Sequence, residues 1–442
     1  MVAPAQQTSE TGIRSTFREF VHLEAAGGVV LLFCTILAFV WANSPFREGY
    51  FALWHTPIKI EFGQYVLEES LLHWINDALM AIFFFVVGLE IKREILAGEL
   101  AEPRKAALPI AAAIGGMLVP AAIYVVLNSG GEGVRGWGIP MATDIAFALA
   151  ALTVLGSRVP TSLKVFLTAL AIVDDLGAIL VIAIFYAHGV IWNWLGVAGV
   201  FLVLCLIANR LHVRHSVPYA LLGLVVWFAF LQSGVHATVA GVMVAMTIPV
   251  RRAIDSRQFL DRTRGLLRDF EEASAFESAL LVNTGQQEAL RALEEACEHV
   301  ETPLQRLEHA HHGWVVFGVL PLFALANAGV TVEGSLLSLL GSPVARGVIL
   351  GLVVGKQVGV TLFAWLSVRF GLAAMPKDMS WVHVYGVAWL AGIGFTMSLF
   401  VGTLAFGESE LLRTAKLAIL VASVVSGLVG YAILRRSFGK PV

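Results

Sequence analysis

The sequence predicts an all-α polytopic membrane protein with about 12 transmembrane helices. Three observations carry that reading. Of the 442 residues, 57% are hydrophobic and only 14% charged, and the mean hydropathy is +0.78. Apolar runs long enough to cross a ~30 Å hydrocarbon core recur from about residue 26 to the C-terminus. With both ends placed in the cytoplasm, Lys and Arg outside the long 253–311 loop divide into roughly 15 inside and 6 outside, as the positive-inside rule requires.

Breaking the apolar windows at Pro, Gly and charge clusters places spans at 26–43, 73–91, 106–127, 139–156, 162–187, 193–209, 217–232, 233–250, 312–331, 343–368, 381–404 and 411–434. The whole chain, 1–442, reads as one integral membrane domain. The N-terminus, MVAPAQQTSETGIRSTFREF, is polar, lacks the form of a signal peptide, and is expected to stay cytoplasmic. Cys34, Cys205 and Cys297 have neither metal nor disulfide spacing, and the two intramembrane cysteines read as packing residues. The net charge of −2 says little in such a chain, because what matters is where each charge lies relative to the bilayer.

Two segments outside the spans stand out. Residues 57–69, PIKIEFGQYVLEE, alternate apolar and polar on both sides of Gly63-Gln64, and a Gly-X pair suits a two-residue type II′ turn, so an external β-hairpin is expected. Residues 253–311 are rich in both charges; Leu290, Leu293, Cys297 and Val300 recur near helical spacing, and Thr302-Pro303-Leu304-Gln305 forms a capping box with proline at the first helical position. This loop is expected to be cytoplasmic and partly helical. A solvated linker and a functional role both remain open for most of it.

Ionisable groups at membrane depth cost at least a few kcal/mol, so they are usually buried against protein or water and usually functional. The spans contain Asp77, Asp144, Asp174, Asp175 and Lys356. Asp77, in HWINDALMAIFFF, sits near the start of its span; a helix-start or interfacial reading is preferred and no transport role is assigned. Asp144 lies in GWGIPMATDIAFALA, where Gly136, Gly138 and Pro140 disfavour a continuous helix while Thr143 and Asp144 offer oxygen atoms. A second interruption, WLAGIGFTMSLF, carries Gly392 and Gly394, with Thr396 and Ser398 following. Broken backbone is tolerated in a membrane only where it lines a cavity or meets protein. The fourth span is the middle of the third to fifth, and the eleventh the middle of the tenth to twelfth, so the two interruptions fall at equivalent places in two three-helix units.

INDALMAIFFFVVGLEIKRE, MATDIAFALAAL, LAIVDDLGAI, SGVHATVAGV, RLEHAHHGW, LPLFALANAGV, GLVVGKQVGV and GIGFTMSLF, in this order within about residues 15–436, resemble the bacterial NhaA sodium/proton antiporter family. The 253–311 loop is longer than is usual there. Inverted-topology repeats with two interrupted helices and a midplane site are a known property of that family itself, so the resemblance implies them here. It also implies a bacterial inner-membrane protein that exchanges cytoplasmic Na⁺, and Li⁺, for external H⁺, with more protons entering than sodium leaving, under pH control and without an enzymatic step or cofactor. Asp175 is then the principal ion and proton ligand, Asp174 is able to pair with Lys356, and Asp144 and Lys356 compensate half-helix ends, in keeping with helix-dipole electrostatics. Thr143 is a further ligand candidate.

The residues fit that chemistry. Na⁺ is a hard cation that prefers oxygen ligands, and a carboxylate binds either Na⁺ or H⁺, so competition between the two is exchange. Adjacent helical residues point about 100° apart, which gives Asp174 and Asp175 different roles. Glu90, Arg93 and Glu94 close the second span, and Glu308, His309 and His312 open the ninth. Histidine titrates nearest neutrality, so this set is expected to sense pH, with a solvated charged rim as the alternative. His236 is open to two readings, a packed or a pH-responsive side chain. The hairpin's open strand edges lead to an expected homodimer joined outside the membrane; no nucleic-acid or transition-metal partner is expected.

Other classes fare worse. No GxGD sequence supports an intramembrane aspartyl protease, and GLVVGKQ lacks both the glycine spacing and the Ser/Thr of a phosphate loop. A sodium-coupled organic solute transporter of the same architecture is the remaining alternative.

Overall fold

Hydrocarbon offers no partner for a backbone N–H or C=O, so each apolar span closes its own hydrogen bonds as a helix. The computed structural model describes residues 26–62, 65–187, 189–250, 256–274, 284–332 and 339–438. The polar N-terminus and the Gly63-Gln64 turn lie outside the described residues.

Helix α1 (Ala26–Ala42) bends by 117° into α2 (Arg47–Trp54). Strands β1 (Pro57–Phe62) and β2 (Tyr65–Ser70) then pair antiparallel in register from Pro57↔Ser70 to Phe62↔Tyr65, the hairpin expected at 57–69. Next come α3 (Leu71–Ala97) and α4 (Pro103–Asn128). A 3₁₀ segment, Glu132–Met141, leads at 41° into α5 (Ile145–Val154). The chain continues through α6 (Thr161–Phe185), α7 (Trp192–Arg210), α8 (Ser216–Ser233) and α9 (Thr238–Thr247).

The loop forms two helices packed on each other, α10 (Ser256–Ser274) and α11 (Thr284–Val300). The Thr302–Gln305 capping box is present and starts α12 (Pro303–Asn327). The last elements are α13 (Pro343–Arg369), the pair α14 (Trp381–Ala391) and α15 (Phe395–Phe406) bent by 44°, and α16 (Glu410–Ser437).

Eight helices are long and apolar enough to cross a membrane, and eleven spans result when each bent pair counts as one, among the described residues. The span expected at 233–250 is corrected to α9, only 10 residues long. At 1.5 Å per residue it covers about 15 Å, half the hydrocarbon core. The cause is Gly234, whose left-handed backbone (φ 80°) ends α8 and leaves Val235 and His236 in irregular chain.

Three helices carry a π-helical turn: Ile75–Leu79 in α3, Val315–Val319 in α12 and Gly351–Gly355 in α13. Such turns mark functional places in helices more often than ordinary ones. The third lies directly before Lys356, on a helix packed closely against α4. A Cβ on Gly115 of α4 would come within 2.2 Å of Gly359 O, and one on Gly359 within 2.1 Å of Gly115 O, so only glycine lets the two backbones touch.

Candidate functional site

The two interruptions meet. After Met141 the chain runs extended through Ala142 to Asp144, and Asp144 N donates to Ile393 O at 2.7 Å, inside the other break. Ser398 Oγ adds a bond to Ile139 O at 2.7 Å. At this crossing the carboxylate of Asp144 caps two helices. Its Oδ1 accepts from Phe147 N in the first turn of α5 at 3.1 Å, and its Oδ2 accepts from Thr396 N at 2.9 Å and Thr396 Oγ1 at 2.5 Å in the first turn of α15. A carboxylate is favoured there because both helix N-termini present unpaired N–H groups and positive dipole ends.

The opposite charge has the opposite place. Lys356 Nζ donates to Met141 O, at the C-terminal end of the 3₁₀ segment, and lies 2.5 Å from Asp174 Oδ2. Thr143 Oγ1 lies 2.6 Å from the same Asp174 oxygen and 2.8 Å from Ala391 O. With one O–H, the hydroxyl donates to one of these acceptors at a time. The structure therefore brings Thr143, Asp174 and Lys356 into one hydrogen-bonded group, with Asp144 next to Thr143 at the crossing and Asp175 next to Asp174 on α6.

Asp174 and Asp175 are 1% and 2% exposed and Lys356 is fully buried. Oδ1 of Asp174 and Oδ1 of Asp175 have no hydrogen-bond donor among the described residues. Three buried carboxylates against one buried ammonium leave the site two charges negative when all are ionised. At membrane depth such an excess has to be met by bound cations or by protons.

A second cluster joins the far end of α3 to the start of α12. Arg93 is bonded to Glu308 and lies 3.2 Å from Glu94, while His312 Nδ1 lies 3.5 Å from Glu90. Of the residues expected in this set, His309 is not brought in, and it is exposed. Helix geometry explains the difference: Glu308 and His312, four apart, share a face, whereas His309 points about 100° away from Glu308.

His236 is not there either. It lies about 20 Å along α3 from Glu90, at the hairpin end, where Nε2 is 3.3 Å from Asp77 Oδ1. Asp77 also lies 2.9 Å from His73 Nε2, so the residue assigned no role is held between two imidazoles. HWIND contains the i,i+4 spacing that could have signalled the first contact; nothing local signals the second. Sequence reasoning also gave no role to Thr396, although it stands in the recognised interruption.

The sequence profile of the family described as Na⁺/H⁺ antiporter 1 matches residues 18–434. The chain is 54% identical over 419 residues to the Na(+)/H(+) antiporter NhaA of Oleidesulfovibrio alaskensis, covering 95% of this chain and 93% of that protein. It is 49% identical over 424 residues to the protein of the same name from Koribacter versatilis, covering 96% and 91%. It is 47% identical over 425 residues to that of Helicobacter pylori strain HPAG1, covering 96% and 95%.

Proposed function

Since the chain belongs to the Na⁺/H⁺ antiporter 1 family, we propose that it is a secondary transporter exchanging cytoplasmic Na⁺, and Li⁺, for external H⁺ across a bacterial inner membrane. The observation that carries this reading is the charge excess at the crossing: Asp174 and Asp175 are both buried, each has an Oδ1 without a hydrogen-bond donor among the described residues, and the buried ammonium of Lys356 pairs with Asp174. Exchange follows if the cation-bound and protonated forms reorient and the empty charged form does not. No bond is made or broken, and no cofactor is needed.

Asp175 acts as the principal ligand, because among the described residues it has no hydrogen-bond donor at Oδ1 and no cation pairs with it as Lys356 pairs with Asp174. Asp174 carries the second proton-bearing carboxylate, Thr143 lends an oxygen, and Asp144 and Lys356 compensate the half-helix ends of the crossing. More protons entering than sodium ions leaving make the cycle electrogenic, each net charge drawing about 2.3 kcal/mol per 100 mV from the membrane potential. Glu90, Arg93, Glu94, Glu308 and His312 respond to pH at the cytoplasmic face, and His236 does so at the other.

Both termini and the 253–311 loop are cytoplasmic in this reading, the hairpin is external, and its strand edges join two copies. The test is proton flux in everted membrane vesicles on adding Na⁺, Li⁺ or K⁺ across a pH series, with no organic solute present. Flux with Na⁺ and Li⁺ but not K⁺ is the expected result; absence of flux with Na⁺ refutes the proposal.

A further inference from the structure

The transport site makes no use of Asp77, yet this carboxylate is buried in the π-turn of α3 and each of its oxygens serves a different imidazole. The two histidines are differently placed. His73, whose backbone N–H is capped by Ser70 Oγ at the foot of the hairpin, has a side chain 47% exposed. His236, in the break after Gly234, has a side chain only 15% exposed and its ring stands edge-on to Phe400.

Each imidazole turns one nitrogen to Asp77 and the other away from it. His73 Nδ1 faces Glu69 Oε2 of β2 at 4.0 Å, at the surface. His236 Nδ1 lies 2.8 Å from Thr238 Oγ1, at the start of α9. The titratable groups therefore run in one line from solvent inward: Glu69, His73, Asp77, His236. No other ion-pair partner faces these groups among the described residues. Trp227 Nε1 donates to the backbone carbonyl of Asp77 at 3.4 Å, and the Trp74 and Trp227 rings stand 6.3 Å apart beside it.

A structural role would account for one imidazole, because a buried carboxylate needs a partner. It does not account for a second one, half in solvent, whose free side faces a further carboxylate. Imidazole can take a proton on one nitrogen and release one from the other, and a carboxyl group can do the same with its two oxygens.

We propose that Glu69, His73, Asp77 and His236 form a proton relay at the external mouth, with His73 as the entry group. A proton from the medium binds His73 Nδ1 while the Nε2 proton moves to Asp77 Oδ2. After the carboxyl group turns, the proton passes to His236 Nε2, leaving Asp77 ionised beside a His236 imidazolium whose Nδ1–H is held by Thr238 Oγ1. Tautomer exchange resets His73, so one proton has moved from the medium to His236 and none is consumed. This inference rests on the antiporter reading and on the hairpin end being external.

The test uses the full-length protein in right-side-out membrane vesicles loaded with Na⁺, with sodium efflux followed while the external pH alone is varied. His73→Gln should slow efflux about 10-fold well above the imidazole titration range, where proton supply limits the rate, and much less below it. External imidazole should restore the rate, which a purely structural loss would not allow. Asp77→Asn should show the same defect without rescue. His73→Gln with an unchanged dependence on external pH, or a loss that imidazole does not repair at an unchanged melting temperature, overturns the relay and leaves the antiporter reading intact. Failure of the unsubstituted protein to exchange in these vesicles overturns both.

Discussion

The crossing and the α3–α12 cluster are built from the same residue types, yet they close differently. In the cluster every carboxylate faces a base: Glu94 and Glu308 face Arg93, and Glu90 faces His312. At the crossing one ammonium serves Asp174 and, among the described residues, nothing equivalent serves Asp175. A proton reaching the cluster therefore alters a contact between two helices. A proton reaching the crossing occupies a place that a metal cation could also take. Under the proposed function, the contrast separates a group that would respond to an ion from a group that would carry one.

The sharpest way to break this contrast is Asp175→Asn, since an amide can neither carry the proton nor offer a charged ligand. Na⁺-dependent proton flux should fall by at least about 100-fold, as for loss of an acid–base group in a reaction that depends on it, while the variant still folds and melts cooperatively. Substantial residual flux would move the ion to another carboxylate.

The next largest effect concerns the buried pair. Asp174→Asn and Lys356→Gln each strand one charge, at a cost on the order of 3 to 5 kcal/mol, whereas removing both partners is nearly neutral. Melting curves in detergent, at a pH where carboxylates are ionised, should rank the double variant above both single ones. The corresponding set for Asp175 with Lys356 should show no rescue. Rescue with Asp175 instead would reverse the two roles.

A smaller effect is expected in the cluster. His312 Nδ1 stands 3.5 Å from Glu90 and so ties α12 to α3. His312→Ala removes the tie, so activation should begin at a lower pH with the maximal rate retained. His309→Ala, on the exposed face, should leave the profile in place. Equal shifts from both substitutions would mean that general surface charge sets the response. The smallest effect on transport belongs to the hairpin: deleting 57–69 should convert dimers to monomers by size and leave exchange measurable. A surviving dimer would place the interface elsewhere.

What the sequence made legible follows from range along the chain. The capping box, the hairpin, both interruptions and every expected span but that at 233–250 depend on neighbours a few residues apart, and each has its counterpart in the structure. The pairing of Asp174 with Lys356 was accessible only through family resemblance, because 182 positions separate them. Which face of a helix meets protein was not legible, which is why His309 and His312 looked alike. The left-handed turn at Gly234 shortened a span that hydropathy alone made full length, and His236 faces Asp77 instead of the α3–α12 cluster.

One feature of the crossing bears on how such a machine can move. Because α5 and α15 both start on the carboxylate of Asp144, the two half-helices are keyed to one pin. Pulling them apart would strand buried donors at about 1–3 kcal/mol each, before any gain elsewhere. A rearrangement that keeps this pin intact therefore carries the two half-helices together as one body.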